Sequence, residues 1–182
     1  MNASQFLLSL IKACGEKVHG RTLLQKQSYF VSLLSGIPID LGYQAHYYGP
    51  YSATVDGTLT QLKNLGFVEE ASTGFGIVSG GFEMRRYDYR LTKDGKKVVA
   101  PFLNSPDHKG IEAAVRKIQE AGEPDYMELS IAAKAFYILR NQGKMMSTAE
   151  LLKEAKKFNW NISEPSLTRA VEFLKHVGLA KG

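Results

Sequence analysis

Long apolar runs are missing from this chain of 182 residues: no segment approaches the roughly 20 apolar residues that a membrane-crossing helix needs. The opening Met1-Asn2-Ala3-Ser4-Gln5 carries no basic side chain, and Phe6 to Ile11 is too short for the apolar core of a secretory signal. Cysteine is almost absent. Cys14 is the only one, so no internal disulfide can form, which suits a reducing compartment and makes the cytoplasm the expected location. It closes an amphipathic stretch, where a free thiol packs as a small apolar group and is not poised as a nucleophile.

Catalytic and metal-binding spacing is lacking as well. His19, His46, His108 and His176 are scattered, with no cysteine or acidic partner at ligand spacing. Gly74-Phe75-Gly76 and Gly80-Gly81 imitate a phosphate-binding loop, but without the Gly-Lys-Ser/Thr ending and without a strand-to-helix context. No nucleophile, base and orienting group can be assembled from neighbours in sequence. The expectation is a non-enzymatic protein with no cofactor and no metal.

What is present is an ordinary globular composition, 44% hydrophobic and 23% charged, enough for a packed core. The net charge of +5 is mildly basic and compatible with a nucleic-acid partner. Its distribution is uneven. Arg85, Arg86, Arg90, Lys93, Lys96 and Lys97 crowd together, opposed by Asp88 and Asp94.

Periodicity predicts helices over 2–14 (Phe6, Leu7, Leu10, Ile11) and from Arg21 or Thr22 to Leu34 (Leu24, Gln27, Phe30, Val31), with Gln27 a polar residue on the apolar stripe. Tyr43 to Tyr48 suggests a short strand. Pro50 then suits the first turn of a helix over 51–65 that buries Val55, Leu59 and Leu62 and ends at Gly66. Phe67 to Glu70 reads as a strand, Ser72 to Gly81 as a hairpin tip, and Phe82 to Leu91 as the return strand. Thr92 caps the following helix. A connector around Asn104 to Lys109 divides an expected first unit, 1–104, from a second, 105–182. In the second, Ile111–Gln119, Ala132–Leu139, a helix opened by the capping box Ser147-Thr148-Ala149-Glu150, and Glu164–Val177 are helical. Gln61 to Glu69 resembles Phe173 to Lys181: both close a helix with Leu-Lys, a Gly cap and an apolar pair. Two related helical units follow, the second without a hairpin.

Helix, helix, short strand, helix, then a hairpin with a basic return arm is the order of a winged helix, in which the third helix can enter a groove and the hairpin meets phosphates. Tyr89-Arg90-Leu91-Thr92-Lys93-Asp94-Gly95 resembles the Tyr-x-Leu-Thr-x-x-Gly that follows the wing in many prokaryotic winged-helix regulators, as Leu62-Lys63-Asn64-Leu65-Gly66-Phe67-Val68-Glu69 resembles what precedes it. The fold class expected is mainly α with a small β component, a winged helix-turn-helix followed by a second helical, helix-turn-helix-like unit packed on the first. Further, Leu24-Gln25-Lys26-Gln27-Ser28-Tyr29-Phe30 and Tyr47-Tyr48-Gly49-Pro50-Tyr51-Ser52 resemble the "LQKL-x-YF" helix and the "YGP" segment of Panacea-type antitoxin domains and their relatives, departing at Gln27. That resemblance implies a helical module used in toxin neutralisation or regulation, with no catalytic residues to carry over.

Two functions are therefore expected. In the first, a dimeric DNA-binding regulator reads bases with Thr60, Gln61 and Asn64, flanked by Lys63, on an arginine-free helix face. Arg85, Arg86 and Arg90 then meet phosphates beside Lys93, Lys96 and Lys97. Three lysines at a helix start, where the macrodipole disfavours cations, point to an anion there. Alternation puts Arg86 and Arg90 on one strand face and Arg85 on the other, and Asp56 would repel phosphate. In the second, a protein partner such as a toxin docks on Tyr47, Tyr48 and Tyr51, with Gly57 permitting close approach. The competing reading of the aromatic cluster is that it closes the core beneath helix 51–65. A third expectation is a structural subunit that dimerises through 128–182.

Overall fold

The computed structural model describes residues 1–78 and 82–180, and side chains except those of Thr73, Phe75 to Val78 and Phe82 to Arg86. It is mainly α with one small antiparallel sheet. The order is α1 (Ala3–Ala13), β1 (Lys17–His19), α2 (Arg21–Leu34), α3 (Ala53–Asn64), β2 (Val68–Val78), β3 (Phe82–Leu91), α4 (Lys93–Val99), a 3-10 turn at Ala100–Phe102, α5 (Pro106–Glu120), α6 (Tyr126–Gln142), α7 (Thr148–Lys157) and α8 (Glu164–His176). The strands lie in the order β1-β3-β2. Three helices, a short strand against the return arm and a long hairpin make up the first part.

Local chemistry sets the helix boundaries. Asn2 and Gln5 cap α1 reciprocally, Asp125 and Glu128 do so for α6, and Ser147 and Glu150 for α7 as their spacing predicts. The repeated ending is also real in three dimensions. Phe67 N–H donates to Leu62 O at 2.9 Å and Leu179 N–H to Leu174 O at 2.8 Å, the same closing bond at the ends of α3 and α8.

The wing joint explains the Tyr-x-Leu-Thr-x-x-Gly run. Tyr89 and Leu91 point into the core. The Thr92 hydroxyl accepts from Gly95 N–H at 3.0 Å and donates to Gly66 O at 2.6 Å, capping α4 while tying it to the end of α3. A Cβ on Gly95 would lie 2.0 Å from Phe67 O, so only glycine lets α4 sit this close to the start of β2.

α2 is the axis of the molecule. It is buried on nearly every side, at Leu24, Gln25, Lys26, Ser28, Tyr29, Phe30 and Val31. The buried polar pair is thus Gln25 and Lys26; Gln27 is only partly buried and accepts from Cys14 Sγ at 3.7 Å. α5 packs on α1 and α2, and α6 on α2. Buried side chains form one cluster running from Phe6 through Phe30 and Ile111 to Leu174.

Several expected boundaries are corrected. Tyr43 to Tyr48 forms no strand, because β1, absent from the sequence reading, occupies the free edge of β3 with Lys17 opposite Arg90. Pro50 does not open α3: Ser52 is its N-cap, held extended at φ −117° and ψ 115°. Ser72 to Val78 is strand and not hairpin tip, paired to β3 with a register shift between Gly74 and Ile77, and the remainder of the expected tip, 79–81, lies outside the described residues. The connector before the second part is shorter than expected, since Ser105 caps α5 and Pro106 is its first residue.

Candidate functional site

The loop between α2 and α3 is fixed from behind by side chains of distant elements. Gln44 and Tyr51 exchange both backbone bonds, at 3.0 and 2.9 Å, closing its base. Gln25 of α2 does the same to Ser52, donating to its carbonyl at 2.9 Å and accepting from its N–H at 3.1 Å. Lys26 Nζ donates to Pro50 O at 2.6 Å, and Trp160 Nε1 donates to His46 O at 2.7 Å. The Ser52 hydroxyl bonds Leu41 O. Gly49 rests on α6: at φ +93° it takes a conformation other residues resist, and its Cβ would sit 3.0 Å from Lys134 Cγ. The "LQK" and "YGP" runs are therefore two halves of one structure, in which α2 donors hold loop carbonyls.

On this base the loop presents its aromatics outward. Tyr47 is 66% exposed and Tyr48 62%, their rings edge to face at 5.0 Å. His46 is exposed too and lies 5.2 Å from the half-buried Tyr51 ring. The expectation that these rings close the core beneath α3 fails for His46, Tyr47 and Tyr48, which are exposed, while Tyr51 is half-buried and Val55 and Leu59 of α3 are buried. Behind the loop, burial lowers the Lys26 ammonium to about 8, assisted by the neighbouring charge of Lys134. Lys134 Nζ lies 5.7 Å from the Trp160 ring centre.

The groove-helix candidates are where the periodicity puts them. Thr60, Gln61 and Asn64 are exposed on α3 and Lys63 is half-buried. Their chemistry is partly committed: the Thr60 hydroxyl donates to Asp56 O at 3.0 Å, and Lys63 pairs with Glu70 at 2.8 Å. Asp56 is balanced by Arg21 Nε at 2.6 Å, so it is not the bare charge expected to repel phosphate. Gly57 is exposed, and a Cβ there meets nothing within 4 Å.

The basic cluster is less free than its sequence suggests. Lys96 pairs with Glu16 and Lys97 with Asp94, the latter at 2.8 Å. Among the described residues, Arg90 and Lys93 have no acidic partner. The macrodipole argument for an anion also fails, because α4 is only 7 residues long and Lys96 and Lys97 fall in its last turn, where cations are favoured. Arg85 and Arg86 stand in β3 opposite Gly74 and Thr73; their side chains lie outside the described residues. Burial pushes the Cys14 thiol up to about 12, which disfavours the thiolate at neutral pH. Among the described residues no group of His, Cys, Asp or Glu could hold a metal ion, and no helix is long and apolar enough to cross a membrane.

Sequence reasoning missed three residues that build the loop: Gln25 and Lys26 as its clamps, and Trp160 as its anchor. The available signal was weak: Gln25 and Lys26 stand in a helix flanked by Leu23, Leu24, Tyr29, Phe30 and Val31, where a buried polar group needs a partner. Trp160 gave none.

No family model matches the chain. It is similar to Uncharacterized protein YwgA of Bacillus subtilis (strain 168), 34% identical over 105 residues, which is 57% of this chain and 58% of that protein. The match thus spans little more than half of each.

Proposed function

We propose that this chain is a non-catalytic, cytoplasmic protein-binding module, as its resemblance to Panacea-type antitoxin domains implies, and that it holds a partner protein on the Tyr47–Tyr48 loop. The observation that carries this reading is a pair of exposed tyrosines on a backbone bonded to buried Gln25, Lys26 and Trp160. Tyrosine is enriched where interface energy concentrates, and a loop already ordered loses little entropy on binding. A single cysteine agrees with a reducing compartment.

A second reading, DNA binding, is favoured by the winged-helix order of elements together with Arg90 and Lys93 next to the wing, which have no acidic partner among the described residues. One experiment separates the two. Tagged wild type, Tyr47→Ala/Tyr48→Ala and Arg90→Ala/Lys93→Ala proteins are used to capture cellular proteins in about 0.5 M salt, where phosphate contacts are lost, and are titrated with duplex DNA at two salt concentrations. Expected is a stoichiometric protein partner retained by wild type and the Arg90/Lys93 variant but lost, at least tenfold, by the tyrosine variant. Salt-sensitive DNA binding whose slope flattens in the Arg90/Lys93 variant, with no such partner, would instead establish the DNA reading.

A further inference from the structure

Under the tyrosine loop lies a small cavity, about 170 Å³, lined by Arg21, Thr22, Lys26, His46, Tyr48 and Tyr51 together with the already committed Gln25. Its size decides what can enter. A cofactor or nucleotide needs roughly 300 Å³ or more, whereas this volume suits a single side chain. Its charge decides the chemistry. Lys26 is 2% exposed and its ammonium carries three donors, of which one bond, to Pro50 O, is satisfied within the chain. Among the described residues no carboxylate lies within ion-pair distance of it, or of Lys134 behind it. Arg21 and Thr22 form the first turn of α2, whose N-cap, Gly20, provides no side-chain acceptor, so the positive end of the helix dipole adds to the ammonium. Arg21 itself is neutralised by Asp56. A buried cation without a counter-ion costs stability unless something supplies one.

We infer that this cavity is a carboxylate socket: an aspartate or glutamate side chain of the partner protein enters beside Tyr48 and pairs with Lys26. A carboxylate at the tip of one or two methylenes can reach in with its stem against the Tyr48 and Tyr51 rings. A nucleic-acid phosphodiester, flanked by sugars on both sides, cannot. The inference rests on the protein-partner reading and names the chemistry of that partner's contact.

The test is calorimetric titration of the full chain with acetyl-tetraglutamate amide, its tetraglutamine counterpart, and acetate at matched carboxylate concentration. Saturable binding of the glutamate peptide, absent for the glutamine peptide and weakened at least tenfold by Lys26→Met, is expected. Acetate should compete, more weakly; acetate binding as tightly as the peptide would overturn the side-chain assignment in favour of a free small carboxylate. Equal binding by Lys26→Met, or none by wild type at millimolar peptide, would overturn the socket. Should Lys26→Met fail to fold, wild type alone suffices, since affinity should drop about tenfold per pH unit above about 8 as the ammonium is lost. The other titratable groups facing it are Arg21, Asp56, Lys134, His46, Tyr48 and Tyr51, and the Tyr51 hydroxyl is held above its usual range by burial and Asp56. A pH-independent affinity overturns the proposal. Failure of the socket leaves the tyrosine capture result untouched, so the two readings fall separately.

Discussion

Lys26 is the residue at which stability and recognition pull against each other. Its ammonium sits where desolvation depresses it from 10.5 to about 8. Between those values the unfolded chain binds a proton that the folded chain does not, so stability rises with pH there. Below about pH 8 both states are charged and the folded state carries the whole cost of burial, on the order of 3 kcal/mol. Tyr29, Tyr43 and Tyr89 act oppositely above pH 10, because burial holds their hydroxyls protonated in the folded state. The expected signature is therefore a difference: from pH 8 to pH 10 the urea midpoint of the wild type gains on that of Lys26→Met, since the opposing contribution of the buried Cys14 thiol and the parallel one of Lys134 are common to both. No gain on the variant would mean that the ammonium is hydrated and the cost absent. A protein that keeps a charge here at neutral pH gains from it elsewhere, and an incoming carboxylate is the gain the cavity suggests.

At the scale of elements, two helix glycines that look alike in sequence differ in what surrounds them. Gly57 on α3 faces open space, while Gly95 on α4 abuts Phe67 O. Gly57→Ala should raise stability by up to about 1 kcal/mol, through helix propensity alone. Gly95→Ala should lower it by about 3 kcal/mol, because the overlap is with backbone and α4 must move. Denaturant midpoints measure both, and equal signs would refute the packing described at the wing joint. The same contrast shows what the chain reveals about itself. Helices whose apolar period and caps are local, α1, α3, α7 and α8, are legible, as is β3, with Thr92 closing it. β1 is not, since three residues hold a strand only because β3 offers them an edge. Tyr43 to Tyr48 has a strand's residue types yet folds back on itself, because its partners are side chains from α2 and from Trp160, far along the chain. The candidate site was half legible: Tyr47, Tyr48 and Tyr51 stand out by type, but their exposure depends on bonds from Gln25 and Trp160 that no local pattern encodes.

For the whole molecule, the connector before α5 is a boundary of sequence and not of the core. Phe30 of α2 meets Phe173 of α8 edge to face at 5.3 Å, Tyr29 meets Phe136 of α6 at 6.4 Å, and Gly110 of α5 packs so tightly on Ser35 O that a Cβ would lie 2.6 Å away. α5 buries Ile111, Val115 and Ile118 in the cluster that holds Phe6 and Leu10 of α1. Each such side chain contributes about 2 kcal/mol on burial. Removing α5, α6 and α8 would thus forfeit an amount comparable with the entire stability of an ordinary domain, roughly 5–15 kcal/mol. It would also strip α2 of the neighbours that cover Tyr29 and Phe30. The isolated 1–104 segment is accordingly expected not to reach a native state, and the full chain to unfold in one transition. Circular dichroism and tyrosine fluorescence should then report the same midpoint. A folded 1–104 fragment with dispersed amide resonances, or two separated transitions in the full chain, would show that the first part stands alone. In that event the loop could not be held by Trp160, because His46 O would lose its donor whenever the second part opened. Partner binding and the integrity of α6 to α8 are expected to fail together.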